Sequence, residues 1–259
     1  MNRRYTMNYN KALESINIMI LAAGLGTRLK PLTDVMPKAL VPVSGQPLLR
    51  HLMEKIIKTF PQSDKKVVIN VHHFAEQIID YLKANNNFGL NISISDETDQ
   101  LLETGGALKK AATLFNNTSQ ILIHNVDIFS NVDLEKFYEQ GKANAATLLV
   151  SNRETSRYLY SDKDNNLVGW ENIKTGEYKG ISAFSPTSPE FRRVAFSGIH
   201  IISPQLFKYF DSFPDRFSII DFYLSICRDE QIKCVVKDDL MLLDVGKLDS
   251  LQAAENFLK

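Results

Sequence analysis

Cysteine is scarce in this chain: Cys227 and Cys234 are the only two among 259 residues. Two thiols cannot build a disulfide framework, so reduced, cytosolic cysteines are expected. An excess of either charge is also missing, because 30 basic residues balance 30 acidic ones. Without a net field there is no general attraction for nucleic acid or an anionic membrane, and neither is expected as a partner. No apolar run approaches the ~20 residues that span a bilayer. The opening Met1-Asn2-Arg3-Arg4-Tyr5-Thr6-Met7 has two arginines but no apolar stretch behind them, which speaks against a signal peptide. Residues 1–15 read as a polar leader that adds little to the fold, and the protein reads as cytoplasmic. Several catalytic signatures are missing too. There is no Gly-x-Ser-x-Gly elbow of a serine hydrolase and no Gly-Lys-Ser/Thr closing a Walker A loop. Internal repeats and low-complexity tracts are also absent, and nothing sets the oligomeric state.

What is present is an alternation of two periods. Residues 17–22, 66–71, 90–95 and 120–124 are short apolar or β-branched runs that read as strands. Between them, residues 46–60, 74–84 and 104–115 carry apolar side chains at helical spacing. The first of these puts Leu48, Leu49, Leu52, Met53, Ile56, Ile57 and Phe60 on one face, and Pro61 stops it. This alternation predicts an α/β fold with a doubly wound, mostly parallel, Rossmann-like mixed sheet flanked by helices. Further on, residues 145–151, 167–171 and 196–202 read as strands, and 132–140, 218–229 and 248–258 as helices. Residues 176–189, with Gly, Ser and Pro, read as a loop. Ligands of such sheets lie at the carboxyl ends of the strands, where Gly24, Asn70 and Asn125 fall.

Residues 20–29 read Ile-Leu-Ala-Ala-Gly-Leu-Gly-Thr-Arg-Leu, and Lys38 follows Arg28 by ten residues. An apolar strand thus runs into two glycines, the Thr27 hydroxyl and a fixed cation. Gly24 and Gly26 allow a tight turn that aims backbone N–H groups at a ligand. Arg28 offers a planar fork suited to phosphate, and Lys38 a compact point charge. Leu29 stands where a dinucleotide-binding turn needs its third glycine. A nucleoside triphosphate is the simplest ligand for this arrangement.

Two carboxylates have the same local grammar. Asp127 follows the run 120–124, and Asp244 sits in Leu-Leu-Asp-Val-Gly between an apolar strand and a glycine turn. They are 117 residues apart, yet a doubly wound fold can bring both strand ends to one cleft. Mg²⁺ prefers oxygen and takes one or two carboxylates plus phosphate oxygens, so the pair is a candidate for it. An Asx-turn or helix-cap role is the plainer alternative for Asp127 alone. Glu103-Thr104-Gly105-Gly106 opens a helix with Thr104 as its expected N-cap. Its glycines leave N–H groups for a ligand's oxygens. His72, His73 and Glu76 lack the order and third ligand of a zinc site. His124 and His200, inside apolar strands, read as core histidines. Arg153 and Arg157 follow a strand and either reach a phosphate or belong to a solvated face.

In combination these motifs resemble the sugar-1-phosphate nucleotidyltransferases, over roughly residues 16–259. The signature of that family is L-A-A-G-x-G-T-R-L…P-K-x-L-x-P-V, matched here at residues 21–29 and 37–43. Asn70-Val71-His72-His73, Glu103-Thr104-Gly105-Gly106, Phe196-Ser197-Gly198-Ile199 and Asp244-Val245-Gly246 extend the likeness. Within the group the chain is most similar to the N-acetylmuramate-1-phosphate uridylyltransferases and the mannose-1-phosphate guanylyltransferase-like bacterial enzymes. The resemblance implies the nucleotide-diphospho-sugar transferase architecture in a single domain over 16–259. Its 16–140 half would hold the nucleotide and its 141–259 half the sugar phosphate. It also implies a nucleoside triphosphate and a sugar 1-phosphate as substrates, Mg²⁺ as cofactor, and a role in nucleotide-sugar and cell-wall precursor synthesis.

Carried onto matching positions, the resemblance gives Arg28, Lys38 and Asp127 as catalytic residues. Leu21, Ala22, Ala23, Gly24, Gly26, Thr27, Asn70, Gly105 and Gly106 join them at the nucleotide. Glu103, Gly198 and Asp244 fall at the sugar phosphate, with Asp127 and Asp244 on the metal. Three positions depart from the family pattern: Val126 for the glycine before Asp127, Lys247 for threonine, and Trp170-Glu171-Asn172-Ile173-Lys174 for a Glu-Lys-Pro stretch. UTP with an amino-sugar 1-phosphate is the implied pair, and GTP with mannose or heptose 1-phosphate its alternative. A non-catalytic nucleotide-sugar-binding module is the rival from another class, and retention of Arg28, Lys38 and both aspartates speaks against it. A glycosyltransferase would carry Asp-x-Asp, which is not found around Asp127.

Overall fold

Ile16, Ile18 and Ile20 join one hydrophobic cluster and Met19 another, as expected of a strand buried on both faces. That strand is β1 (Ser15–Leu21) of a computed structural model that describes residues 15–258. Positions 1–14 of the expected leader lie outside the described residues, and Ser15 already pairs with Asp64 in the sheet.

The chain continues through a ribbon of β2 (Pro42–Val43) and β3 (Gln46–Pro47) into α1 (Leu48–Thr59). Next come β4 (Asp64–Val71), α2 (Ala75–Ala84), β5 (Asn91–Asp96), α3 (Glu103–Ala111), β6 (Ile121–Asn125) and β7 (Ile128–Ser130). Then follow α4 (Leu134–Gly141), β8 (Ala146–Ser151), β9 (Arg157–Ser161), β10 (Leu167–Asn172), β11 (Glu177–Gly180) and β12 (Arg192–Ile202). The last elements are α5 (Ile219–Ile226), β13 (Ile232–Val236), β14 (Leu242–Asp244) and α6 (Leu248–Phe257).

Ten strands form one mixed sheet. Its path runs β11-β10-β9-β12-β6-β1-β4-β5, with β8 beside β12 and β13 beside β8. The segment β6-β1-β4-β5 is parallel, and β12 joins it antiparallel. Residues of α1, α2 and α4 cover one face with Ile16, Ile18 and Ile20. Residues of α3 and α5 cover the other with Met19. The doubly wound α/β class expected from the alternation is therefore the one adopted.

Where element bounds differ from the sequence reading, local chemistry gives the reason. Residues 46–47 pair in β3, so α1 begins after Pro47. The Asp133 carboxylate accepts the Lys136 N–H at 3.0 Å and starts α4 at Leu134 rather than at residue 132. Ser218 does the same for α5 through the Ile220 N–H. The expected loop 176–189 contains β11, which pairs with β10. Strands β9 and β13 were not expected either.

The cap expected at Thr104 is a correction. Helix α3 begins at Glu103, and the Thr104 hydroxyl oxygen instead accepts the Ile219 N–H at 3.0 Å, tying α3 to α5. Gly105 and Gly106 donate their N–H groups to the Phe217 carbonyl at 2.9 and 3.2 Å. A Cβ on Gly106 would lie 2.0 Å from the Asp215 carbonyl oxygen, and one on Gly105 would lie 2.4 Å from the Phe217 ring. These glycines permit close approach of segment 213–217. Gly106→Ala should accordingly cost about 1–3 kcal/mol of stability through overpacking. Gly24→Ala, where a Cβ meets nothing within 4 Å, should leave the thermal midpoint unchanged. Thermal melts of the two variants check this contrast.

Candidate active site

Parallel register sets three residues level. Leu21, the last residue of β1, pairs with Asn70 of β4 on one side and Asn125 of β6 on the other. The chain leaves β1 toward β4 and β5 and returns on the opposite side as β6, so the strand order reverses here. Such a reversal leaves a crevice above the carboxyl ends of the strands. A cleft of about 220 Å³ lies at this point, and its lining includes Leu21, Ala23, Gly24, Lys38, Asn70, Glu103 and Asp127.

The loop after β1 is held from beneath. Gly26 has φ +63°, and a Cβ there would come within 2.8 Å of the Thr33 methyl and 3.1 Å of Lys38 Cβ. Glycine answers both constraints. The Gly26 carbonyl accepts from the Thr33 hydroxyl at 2.9 Å and the Leu29 N–H at 2.8 Å, while fully buried Leu29 anchors the turn. Gly24 needs no left-handed backbone; the space where its side chain would stand is open. Thr27 and Arg28 are exposed, whereas Ala22 and Ala23 are buried. The Ala22 N–H is already taken by the Asn70 Oδ1 at 2.7 Å.

Charge converges beside this loop. Lys38, nearly buried, donates its ammonium to Asp127 Oδ2. Asp127 and Asp244 are joined through a small ribbon: Asp244 of β14 pairs with Ile128 of β7, and the Val245 N–H donates to the Asp127 carbonyl at 2.9 Å. A Cβ on Gly246 would fall 2.7 Å from Arg28 Nη2 and 2.8 Å from Asp244 Oδ1, so guanidinium and carboxyl are neighbours over that glycine. Burial raises the Asp244 pKa first, and the Asp127 charge raises it further. Lys38, Arg28 and Arg153 act in the opposite direction. The two distant aspartates therefore share one electrostatic environment with three cations.

The donor set suits a hard divalent ion. Two carboxylates repel each other here, and a cation between them would relieve that repulsion. Among the described residues no group of three His, Cys, Asp or Glu side chains is placed to hold a metal ion. The His72 Nδ1 donates to the Glu97 carbonyl at 2.6 Å.

Other expected residues have different partners. Gly105 and Gly106 were expected to offer free N–H groups to a nucleotide; those groups bond Phe217 instead. Glu103, at the cleft, accepts from Arg216 through Nε at 3.0 Å and Nη2 at 2.9 Å, a pairing with no local signal in the sequence. Gly198 has φ +77° at an irregularity in β12, where a Cβ would lie 2.7 Å from the Asn125 amide nitrogen. Arg153 donates to the Phe196 carbonyl at 2.7 Å and acts on Asp244, whereas Arg157 is exposed at the start of β9. His124 and His200 are core histidines, bonded to the Asn125 carbonyl and the Tyr223 hydroxyl, with pKa values pushed down to about 3 by burial.

Comparison with known proteins agrees with this geometry. A family model described as nucleotidyl transferase matches residues 17–259. The N-acetylmuramate alpha-1-phosphate uridylyltransferase of Caulobacter vibrioides is 31% identical over 92% of this chain and 94% of its own. The D-glycero-alpha-D-manno-heptose 1-phosphate guanylyltransferase of Campylobacter jejuni is 25% identical over 88% of this chain and 93% of its own. Among solved structures, HddC from Yersinia pseudotuberculosis complexed with GMP-PN superposes with a TM-score of 0.71 at 25% identity. That match covers 94% of this chain and all of that one. With the glycine loop and the Lys38–Asp127 pair at one cleft, Asp244 acted on by the same charges, and the match running through all of them, the chain belongs to the nucleotidyl transferase family.

Proposed function

We propose that the chain transfers the uridylyl group of UTP to N-acetylmuramate 1-phosphate, releasing pyrophosphate. The observation that carries the reaction class is the meeting of Arg28, Lys38, Asp127 and Asp244 at the reversal of strand order. Uridine and the amino sugar are supported by two uridylyltransferase relatives, at 31% and 30% identity. GTP with a heptose 1-phosphate is the second reading, favoured by the Campylobacter relative and by the GMP-PN complex of HddC. The free thiols of Cys227 and Cys234 support a cytoplasmic setting.

In the proposed reaction an oxygen of the sugar phosphate attacks the α-phosphorus in line. The bond from that phosphorus to pyrophosphate breaks, and its electron pair leaves with pyrophosphate. No protein nucleophile is needed, since positioning and charge neutralisation carry phosphoryl-type transfer. The open face at Gly24 admits the phosphates close to the backbone, and Arg28 holds the departing pyrophosphate. Lys38, oriented by Asp127, offsets charge at the α-phosphate. Mg²⁺ held by Asp127 and Asp244 would supply further charge neutralisation between the two reacting phosphates.

A screen of the four triphosphates with Mg²⁺ and N-acetylmuramate 1-phosphate should release pyrophosphate fastest with UTP. Faster release with GTP and heptose 1-phosphate would transfer the proposal to the second reading. No release with any pairing would end both. Arg28→Ala and Asp127→Asn should each lower turnover by ~10²–10³ while the protein stays folded by circular dichroism.

Asp244 adds a dependence on pH. In the metal-free fold burial and the Asp127 charge favour its protonated form, while Lys38, Arg28 and Arg153 oppose them. Mg²⁺ binding requires the ionised carboxylate, so Mg²⁺ affinity should weaken on acidification. Calorimetric titration of the free protein with Mg²⁺ at two pH values checks this.

A further inference from the structure

Glu97 directly follows β5 and is completely buried. Its Oε1 accepts from the Asn70 side-chain amide at 2.8 Å, and its Oε2 accepts from the Leu102 N–H at 3.1 Å. The Asn70 Oδ1 in turn accepts from the Ala22 N–H at 2.7 Å. This chain of bonds starts and ends on backbone N–H groups, which only donate. The Ala22 N–H demands the oxygen of Asn70, which turns the Asn70 NH₂ toward Glu97. Both oxygens of Glu97 then accept, and an ionised carboxylate meets this with no proton left to place. The polarity of the network thus suits a carboxylate, although burial raises its pKa. Lys110 and His72 add only through-space attraction.

The three bonds join pieces of the cleft that are far apart in sequence. Ala22 opens the loop that runs to Gly26, Asn70 is the penultimate residue of the neighbouring strand, and Leu102 lies between Leu101 and Glu103 on the cleft lining. Glu97 bonds Asn70 and Leu102 directly, reaches Ala22 through Asn70, and is itself fully buried. We propose that Glu97 is a positioning residue. Its ionised carboxylate, acting through Asn70 and the Leu102 N–H, holds the phosphate-facing loop at a set distance from residues 101–104. This inference rests on reading the cleft as a triphosphate site. A buried hydrogen bond to a charge is strong enough for its loss to be read as a tenfold change or more.

The test is a double-mutant cycle read by calorimetric binding of UTP with Mg²⁺ and by steady-state kinetics. Glu97→Gln sets one NH₂ against another or leaves the Leu102 N–H unpaired. It should weaken UTP binding and raise the UTP KM about tenfold, leaving the KM for the sugar 1-phosphate alone. Asn70→Asp alone sets two carboxylates face to face and should be at least as damaging. The double variant Asn70→Asp/Glu97→Gln satisfies every donor again: the carboxylate at position 70 accepts from Ala22 and from the new amide, whose oxygen accepts from Leu102. It should bind UTP better than either single variant.

Unchanged UTP affinity in Glu97→Gln would overturn the proposal, as would a double variant no better than the worse single one. A changed preference between UTP and GTP would overturn it too, by implying that the carboxylate meets the base. If Glu97→Gln does not fold, the double variant is compared with Asn70→Asp, which carries the same change on the cleft: tighter UTP binding by the double supports the clamp, and equal or weaker binding refutes it. Because binding is read without acceptor, a parent that binds UTP but transfers nothing would refute the proposed reaction and leave this test intact.

Discussion

The parallel pairing of β1 with β4 and β6 is the constraint from which the site follows. It brings Leu21, Asn70 and Asn125 level, and the reversal of strand order beside them leaves room above the sheet. A slip of one residue would turn Ile16, Ile18 and Ile20 from one helical layer to the other, so the buried faces lock the register. Core packing therefore fixes the level at which the loop of Gly24 and Gly26 emerges. The hydrophobic core and the cleft are two results of one alignment.

Beside the cleft burial and like charge both act on one carboxylate. Burial and the Asp127 charge oppose ionisation of Asp244, while Lys38, Arg28 and Arg153 favour it. In the proposed reaction Mg²⁺ and an anionic substrate would supply the balancing charges. Arg28 is exposed and lies next to Gly246.

Much of this was readable in the chain. The strand-to-glycine run at 20–29, Lys38 and the two carboxylates after apolar strands were found from spacing and residue type, and the structure gathers them. The 3.6- and 2-residue periods gave the helices and the parallel strands to within a few positions. The rest failed for definable reasons. Gly105 and Gly106 look the same whether a ligand or a neighbouring carbonyl approaches them, and only tertiary packing shows that Phe217 does. Glu97 stands in Asp-Glu-Thr-Asp-Gln, which reads as a solvated turn, so nothing local marks it as buried. Strand β9 is five residues beginning with arginine, and its stability comes from β10 and β12 rather than from its own pattern.

The ribbon of β7 and β14 pairs only three residues on each side, yet it sets Asp244 opposite Ile128, 116 positions earlier. It stands apart from the ten-stranded sheet. Short pairings of this kind open locally at far less cost than a central sheet. Fraying there would carry one carboxylate away and leave Arg28 without its neighbour while the main scaffold stayed whole. The placement of Asp244 and the integrity of the main scaffold thus rest on separate pairings.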